Sequence, residues 1–291
     1  MGTLYVVATP IGNLGDTTKR ALEILNEVDF IAVEDTRQTI KLLNHYGIKT
    51  KMISYHKFNE VSRTEEIINK LENNLNGALV SDAGTPCISD PGYILISELK
   101  KRGINVMGIP GPSAMINALA ISGLPTTNFA FYGFLSTSLS KQKKELRKIA
   151  ENNINTFVLY ESPKRLVKLV ENIKDIFPEC TISILSDMTK KFERNFYGNV
   201  GCVYETIKQD PKIEKGEYVV VINSEQKIIK KDDVISIESK IVDIMLKYKC
   251  SIKDAINKLS SDDEELKKND IYNASLNLKN LLLSQNSGEK K

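Results

Sequence analysis

The chain reads as an α/β protein in three parts: a parallel five-stranded sheet flanked by helices, a second α/β domain on a mixed sheet, and a small helical C-terminal domain. Three observations predict this. Five short apolar, β-branched runs between residues 3 and 108 alternate with helix-period patterns, as parallel strands buried on both faces do. The character changes near Leu124-Pro125-Thr126-Thr127, after which strand runs are joined partly by short turns and a mixed sheet is expected. Beyond the polar stretch 225–231 (EQKIIKK) the apolar spacing is helical throughout. The expected divisions are 1–124, 125–224, a linker at 225–231, helices over 232–285 and a disordered tail at 286–291.

Taken in order, TLYVVA at 3–8 is a strand, and Asp16 or Thr17 can cap the helix carrying Ala21, Leu22 and Leu25. Phe30–Val33 is a second strand, followed by a helix with Ile40, Leu42, Leu43 and Tyr46 that stops at Gly47. Strand 51–54, helix 61–75 and strand 77–80 follow, then helix 92–102, strand 104–108 and a helix of small residues from Ala114 to Ser122. In the second part the spacing predicts strands at 128–134, 156–160, 181–186, 194–198 and 217–222. Its helices are a basic one around Lys141–Lys148, then 164–176 and 201–209. Three more helices, 232–249, 252–259 and 270–284, are separated by Ser251 and Ser261-Asp262-Asp263, which are good caps.

Composition narrows the class. In 291 residues, 41% apolar and 26% charged content is ordinary for a soluble globular protein, and a net charge of +3 does not demand a polyanionic partner. Cys87, Cys180, Cys202 and Cys250 are scattered without a C-x-x-C pair, and there are two histidines, His45 and His56. Neither a metal site nor a disulfide framework is expected, and a reducing cytoplasm fits. Met1 leads straight into a strand, so no signal peptide is read. Residues 103–140 carry no charge, but Pro110, Gly111, Pro112, Gly123 and Pro125 cut them into pieces too short to span a membrane. That stretch reads as buried core.

The organising stretch is LVSDAGTPCISDPG at 79–92. A strand ends, two polar turns follow, and a helix begins with Pro91 and Asp90 placed as capping residues. An ordinary βα connection takes only a few residues. A longer, Gly/Pro-rich loop with two carboxylates, outside the carboxyl end of a parallel strand, is where such sheets bind ligands. The loop after the first strand, Thr9-Pro10-Ile11-Gly12-Asn13-Leu14-Gly15, also invites a dinucleotide reading, with Glu34 or Asp35 placed for a ribose. Pro10 occupies the first glycine position, however, and a fixed φ near −65° cannot make that turn. NAD is therefore disfavoured, and no GxxxxGK[ST] motif exists.

Six segments in register, TPIGNLGD, AVEDTRQT, SYHKFNE, VSDAGTPCISDPG, GIPGPSA and YESPKRL, resemble the bacterial 16S rRNA 2′-O-ribose methyltransferases of the tetrapyrrole-methylase superfamily. The match covers residues 4–166, and KGEYVVVI at 215–222 extends it. The resemblance implies two α/β domains with S-adenosylmethionine between them, a homodimer, and a C-terminal domain of helix-turn-helix type. The implied reaction is methylation of the 2′-hydroxyl of a cytidine, cytidine 1402, in the small ribosomal subunit. Residues implied at the cofactor are Pro10, Gly12, Asp82, Gly84, Thr85, Pro86, Ile88 and Ser89, then Pro112, Ser113 and Ala114, and from the second domain Gly133 to Leu135 and Gly216.

Methyl transfer to a ribose hydroxyl needs alignment and, because the hydroxyl is a poor nucleophile, a base. The candidates at strand ends are Glu34, Asp35 and His56, with Asp82 and Asp90; the two last can equally brace their turns. Arg37 suits a phosphate by its planar donors. Lys141, Lys143, Lys144, Arg147 and Lys148 could meet rRNA phosphates or form a solvated helix face. Lys164 and Arg165, beside Glu161, suit substrate or cofactor positioning, and Tyr55 or Phe58 could stack on a base. Rival readings are a methyltransferase for a tetrapyrrole or a protein side chain, an NAD-dependent oxidoreductase, and a non-catalytic RNA-binding factor.

Overall fold

The structure is a computed structural model and describes residues 1–224, 236–262 and 268–286. The expected linker, and the expected tail apart from Asn286, lie outside the described residues. The chain forms two compact units, Met1–Lys227 and Ile228–Lys291.

In the first unit, β1 (Thr3–Val7), β2 (Phe30–Val33), β3 (Met52–Ser54), β4 (Gly77–Val80) and β5 (Asn105–Ile109) form one sheet in the order β3-β2-β4-β1-β5. All its pairings are parallel, as the apolar alternation predicts. The connections are α1 (Lys19–Glu27), α2 (Thr36–His45), α3 (Glu60–Glu72) and α4 (Tyr93–Lys101). Every residue of β2 and β4 is buried. One cluster packs Leu4, Phe30, Ile67 and Leu95, and another packs Val7, Leu25, Ile31 and Leu43. Parallel strands send all five following loops to one edge, and the site is built there.

A second sheet holds β6 (Phe129–Phe134), β7 (Thr156–Glu161), β8 (Thr181–Ser186), β9 (Arg194–Asn199) and β10 (Tyr218–Asn223) in the order β6-β7-β10-β8-β9. It is mixed: β6 and β7 run parallel and the remaining pairs antiparallel. The helices α6 (Leu139–Ala150), α7 (Pro163–Ile176) and α8 (Val200–Lys208) contribute Leu146, Leu166, Ile173 and Ile207 to a core with Phe157, Ile184 and Val220. Helix α5 (Ala114–Ile121) inserts Ala118 and Leu119 against Val158, Leu185, Val219 and Val221. Its small residues let it seat closely on the second sheet.

The second unit packs α9 (Ile237–Tyr248), α10 (Ile252–Asp262) and α11 (Lys268–Asn286) around Ile241, Ala255, Leu259, Ile271, Ala274 and Leu278.

Three local expectations are corrected. Thr18 caps α1, accepting the Ala21 N–H at 3.1 Å, because Leu14–Asp16 is used in a short 3-10 turn. Gly92, at φ +138°, caps α4 without a side-chain bond; its N–H donates to the Glu60 carboxylate at 2.9 Å, and Pro91 stays outside the helix. The uncharged stretch 103–140 is not simply core. Strand β5 is a sheet edge with Ile109 its one buried residue, and Met107, Ile116 and Ile121 are exposed. Lack of charge there marks apolar surface as much as interior. Among the described residues no helix is long and apolar enough to cross a membrane.

Candidate active site

The loops after β1 and β4 are tied together by main chain. Thr9 N–H donates to the Gly84 carbonyl at 2.9 Å, and Gly84 N–H donates back to Thr9 at 3.0 Å. Gly84 sits at φ +78°, where an L side chain is strained. Thr85 Oγ1 donates to the Pro112 carbonyl at 3.1 Å, joining the loop to the approach of α5. From the other sheet, the Tyr160 hydroxyl at the end of β7 accepts the Met115 N–H at 3.1 Å.

These contacts frame a cavity of about 410 Å³ between the loop edges of the two sheets. One wall is the organising loop, with Asp82, Gly84, Thr85, Ile88, Ser89 and Asp90. Ser113 and Ala114 at the start of α5 add little bulk, and Phe134, Tyr160, Glu161, Met188 and Gly216 close the far side. Gly216 is at φ +98°, and a Cβ there would lie 2.3 Å from Asp187 Oδ2. Asp187 in turn holds Lys190, whose Nζ also reaches Glu217, and Lys190 packs directly against Gly12.

The cavity has an acidic end. Asp82 and Asp90 line it, and burial, then the charges of Asp90 and Asp82, push the carboxyl of Glu34 in the adjoining recess above its usual range. Burial likewise raises Asp82 and Asp90, opposed at Asp82 by the Asp35 N–H that donates to its Oδ1 at 3.0 Å. Asp35 is different. Its carboxylate caps α2 through the Arg37 N–H and binds the Arg37 guanidinium at 2.6 Å, which holds it down to about 2. Glu161 is buried, paired with Arg165 and bonded to the Ser162 N–H at 2.7 Å, yet its Oε2 has no partner among the described residues. An orphaned buried oxygen in a cavity wall is costly unless a ligand donor meets it.

A family model described as "Tetrapyrrole (Corrin/Porphyrin) Methylases" matches residues 3–203. The chain belongs to this family. It is 43% identical over 221 residues to the "Ribosomal RNA small subunit methyltransferase I" of Vibrio cholerae serotype O1, covering 76% of each chain. With the protein of the same name from Hydrogenobaculum sp. it shares 44% over 223 residues, which is 76% of this chain and 96% of that one. Among solved structures, the uroporphyrin-III C-methyl transferase from Thermus thermophilus complexed with S-adenyl homocysteine is similar, at TM-score 0.53 and 17% identity over 77% of this chain and 97% of that one. At that identity the likeness concerns the fold.

Within this tetrapyrrole methylase the cavity brings together Asp82, Gly84, Thr85, Ile88, Ser89, Ser113, Ala114 and Gly216 of the residues expected at a cofactor. Pro10 and Gly12 line a neighbouring recess with Asp82, and Pro112 lines another with Thr85 and Ser113. Pro86 and Gly133 are not in the cavity wall, and Leu135 is buried in the second core. Glu34, Asp35, Arg37 and His56 line a separate recess beside it. Lys141, Lys144, Arg147 and Lys148 are exposed on α6 and Lys164 is exposed on α7, while Lys143 pairs with Asp175 and Arg165 with Glu161. Tyr55 is fully buried, its hydroxyl on Glu60 at 3.0 Å, so base stacking falls to Phe58 alone. Cavity residues to which sequence reasoning gave no role include Tyr160, Met188 and Glu217 to Val219.

Proposed function

We propose that this methylase transfers a methyl group from S-adenosylmethionine to the ribose 2′-hydroxyl of a cytidine in 16S rRNA, cytidine 1402, acting in the cytoplasm as a homodimer without a metal. The observation that carries the reading is a cavity of ligand size with an acidic end and a buried, unpartnered carboxylate oxygen on the opposite lobe. The names of the relatives supply the substrate class. The residues fit the cofactor. Ser113, Ala114 and Gly216 leave room, Asp82 and Asp90 favour a cation, Ile88 and Met188 offer apolar walls, and Glu161 Oε2 needs an N–H donor.

S-adenosylmethionine, when bound, supplies an electrophilic methyl carbon on a positive sulfur. Glu34 is the base we assign. Its raised affinity for a proton makes it a stronger base than an ordinary glutamate, whereas Asp35 is spent on Arg37 and the Nδ1 of His56 accepts the Phe58 N–H at 3.3 Å. With the methyl donor held in the cavity, the Glu34 carboxylate would take the proton that the ribose hydroxyl gives up as its oxygen accepts the methyl group. The edge strand β5 and exposed Met107, Ile116 and Ile121 are apolar surface suited to a second copy. The deciding experiment supplies tritiated S-adenosylmethionine and unmethylated small subunits, then maps the labelled nucleotide. Label on a tetrapyrrole instead would reverse the reading, and light scattering reports the dimer.

A further inference from the structure

Beside the cavity, a recess of about 340 Å³ is lined by Glu34, Asp35, Arg37, His56, Lys57 and Phe58. It adjoins the cavity through one bond, from the Asp35 N–H to Asp82. Phe58 is 96% exposed, the highest value for a large apolar side chain among the described residues. It does not ride on a loose loop. His56 N–H donates to Asn59 Oδ1 at 2.8 Å, Asn59 N–H returns to the His56 carbonyl at 2.9 Å, and Asn59 Nδ2 donates to the Ser54 carbonyl at 3.2 Å. The imidazole of His56 meets the Phe58 ring edge-on, centroids 6.1 Å apart. A braced turn therefore presents an aromatic ring to water with no packing reason. Lys57 is exposed beside it with no ion-pair partner among the described residues, and the Arg37–Asp35 pair leaves Arg37 Nη1 outside it.

We propose that this recess docks an unpaired RNA nucleotide next to the one that is methylated, its base stacked on Phe58 and its phosphate met by Lys57. The inference rests on the rRNA methyltransferase reading and adds a substrate subsite to it. The stiff ring supplies a π-face to any base, the lysine supplies charge, and Glu34 lines the recess next to Asp35, whose N–H bonds Asp82 of the cavity.

The test is the affinity of protein loaded with S-adenosylhomocysteine for 16S rRNA stripped of ribosomal proteins. Phe58→Ala and Phe58→Leu should each weaken binding about tenfold, since one stacked base is lost. Phe58→Tyr should bind as the parent does, and Lys57→Gln should lower the slope of log affinity against log salt by about one contact. Affinity for S-adenosylhomocysteine and the unfolding midpoint should not move in any variant. A leucine variant that binds like the parent, or Phe58→Ala without effect, would overturn the dock. So would parent protein that holds subunits but not stripped RNA, because a ribosomal protein would then be the contact. Parent protein that binds no S-adenosylhomocysteine and labels no RNA defeats the functional reading itself, a different and separable result.

Discussion

Thr9 and Gly84 exchange both of their main-chain hydrogen bonds, which makes the loops after the first and fourth strands one structural piece. The pair holds Gly84 in a left-handed conformation, and a Cβ at that position would lie 3.3 Å from Ile11. Gly84→Val is expected to strain this piece by roughly 1–2 kcal/mol and to narrow the cavity. Calorimetry should show no binding of S-adenosylhomocysteine, while far-ultraviolet circular dichroism stays native. Unchanged affinity removes the loop from the site.

With Glu34 as the proposed base, its carboxyl is expected to set the acid side of the pH profile. A carboxyl raised by burial and by Asp90 and Asp82 keeps its proton to higher pH than a free glutamate. The base form is lost as pH falls through that raised value, so the acid limb of kcat/KM should lie above 4.5. Asp90→Asn removes one of the raising charges and should move the limb to lower pH. Glu34→Gln should abolish it and lower kcat by roughly 10²–10⁴.

The same carboxyls carry a stability signature. Raised values mean that the folded state holds protons the unfolded chain gives up, so their unfavourable contribution is absent at low pH and full once pH exceeds the raised values. Asp90→Asn is therefore expected to raise the melting temperature at pH 7 and to leave it unchanged near pH 3. A lowered melting temperature at neutral pH would show that the Ser81 contact of Asp90 outweighs the repulsion.

Glu161 joins structure to binding. Glu161→Gln removes the countercharge of Arg165, a charged contact worth about 2 kcal/mol, and alters the unpartnered buried oxygen in the cavity wall. Denaturant midpoints should fall, and affinity for S-adenosylhomocysteine should drop more than tenfold. A stability loss with full affinity confines Glu161 to a structural role.

The helical unit has a core of its own, and the Hydrogenobaculum relative is matched over 96% of its length by 76% of this chain. A chain ended after Lys227 is expected to fold cooperatively and to bind S-adenosylhomocysteine with unchanged affinity. Loss of binding in a folded truncation would place the helices in the site.

Much of this was legible beforehand because parallel strands advertise themselves. The polar, glycine-rich corners at Gly12, Gly84 and Pro112 mark where strands end, and the structure collects them along one edge of the sheet. The second sheet is less legible in the sequence. Of Gly133 to Leu135, only Phe134 reaches the cavity wall, because β6 changes register between Phe131 and Gly133. With Gly133 at φ +63°, the two-residue alternation breaks, so Phe134 enters the cavity wall and Leu135 enters the core. Charge drew attention to Lys164 and Arg165, whereas the cavity is lined by Tyr160 and Glu161 just before them. Asp187 and Thr189, at φ +51° and +66°, bend the loop that delivers Met188, and nothing in their side-chain types announces that bend.

The position of β10 bears on how the protein is made. This strand is the last of its sheet to leave the ribosome, yet it lies in the middle, between β7 and β8. Until residues 218–223 have emerged, the halves of that sheet have no seam to close along, and Gly216, just ahead of the seam, has no wall to join. A nascent chain therefore acquires this cavity in one late step, so stalled or truncated products lack it however well their amino-terminal lobe has formed.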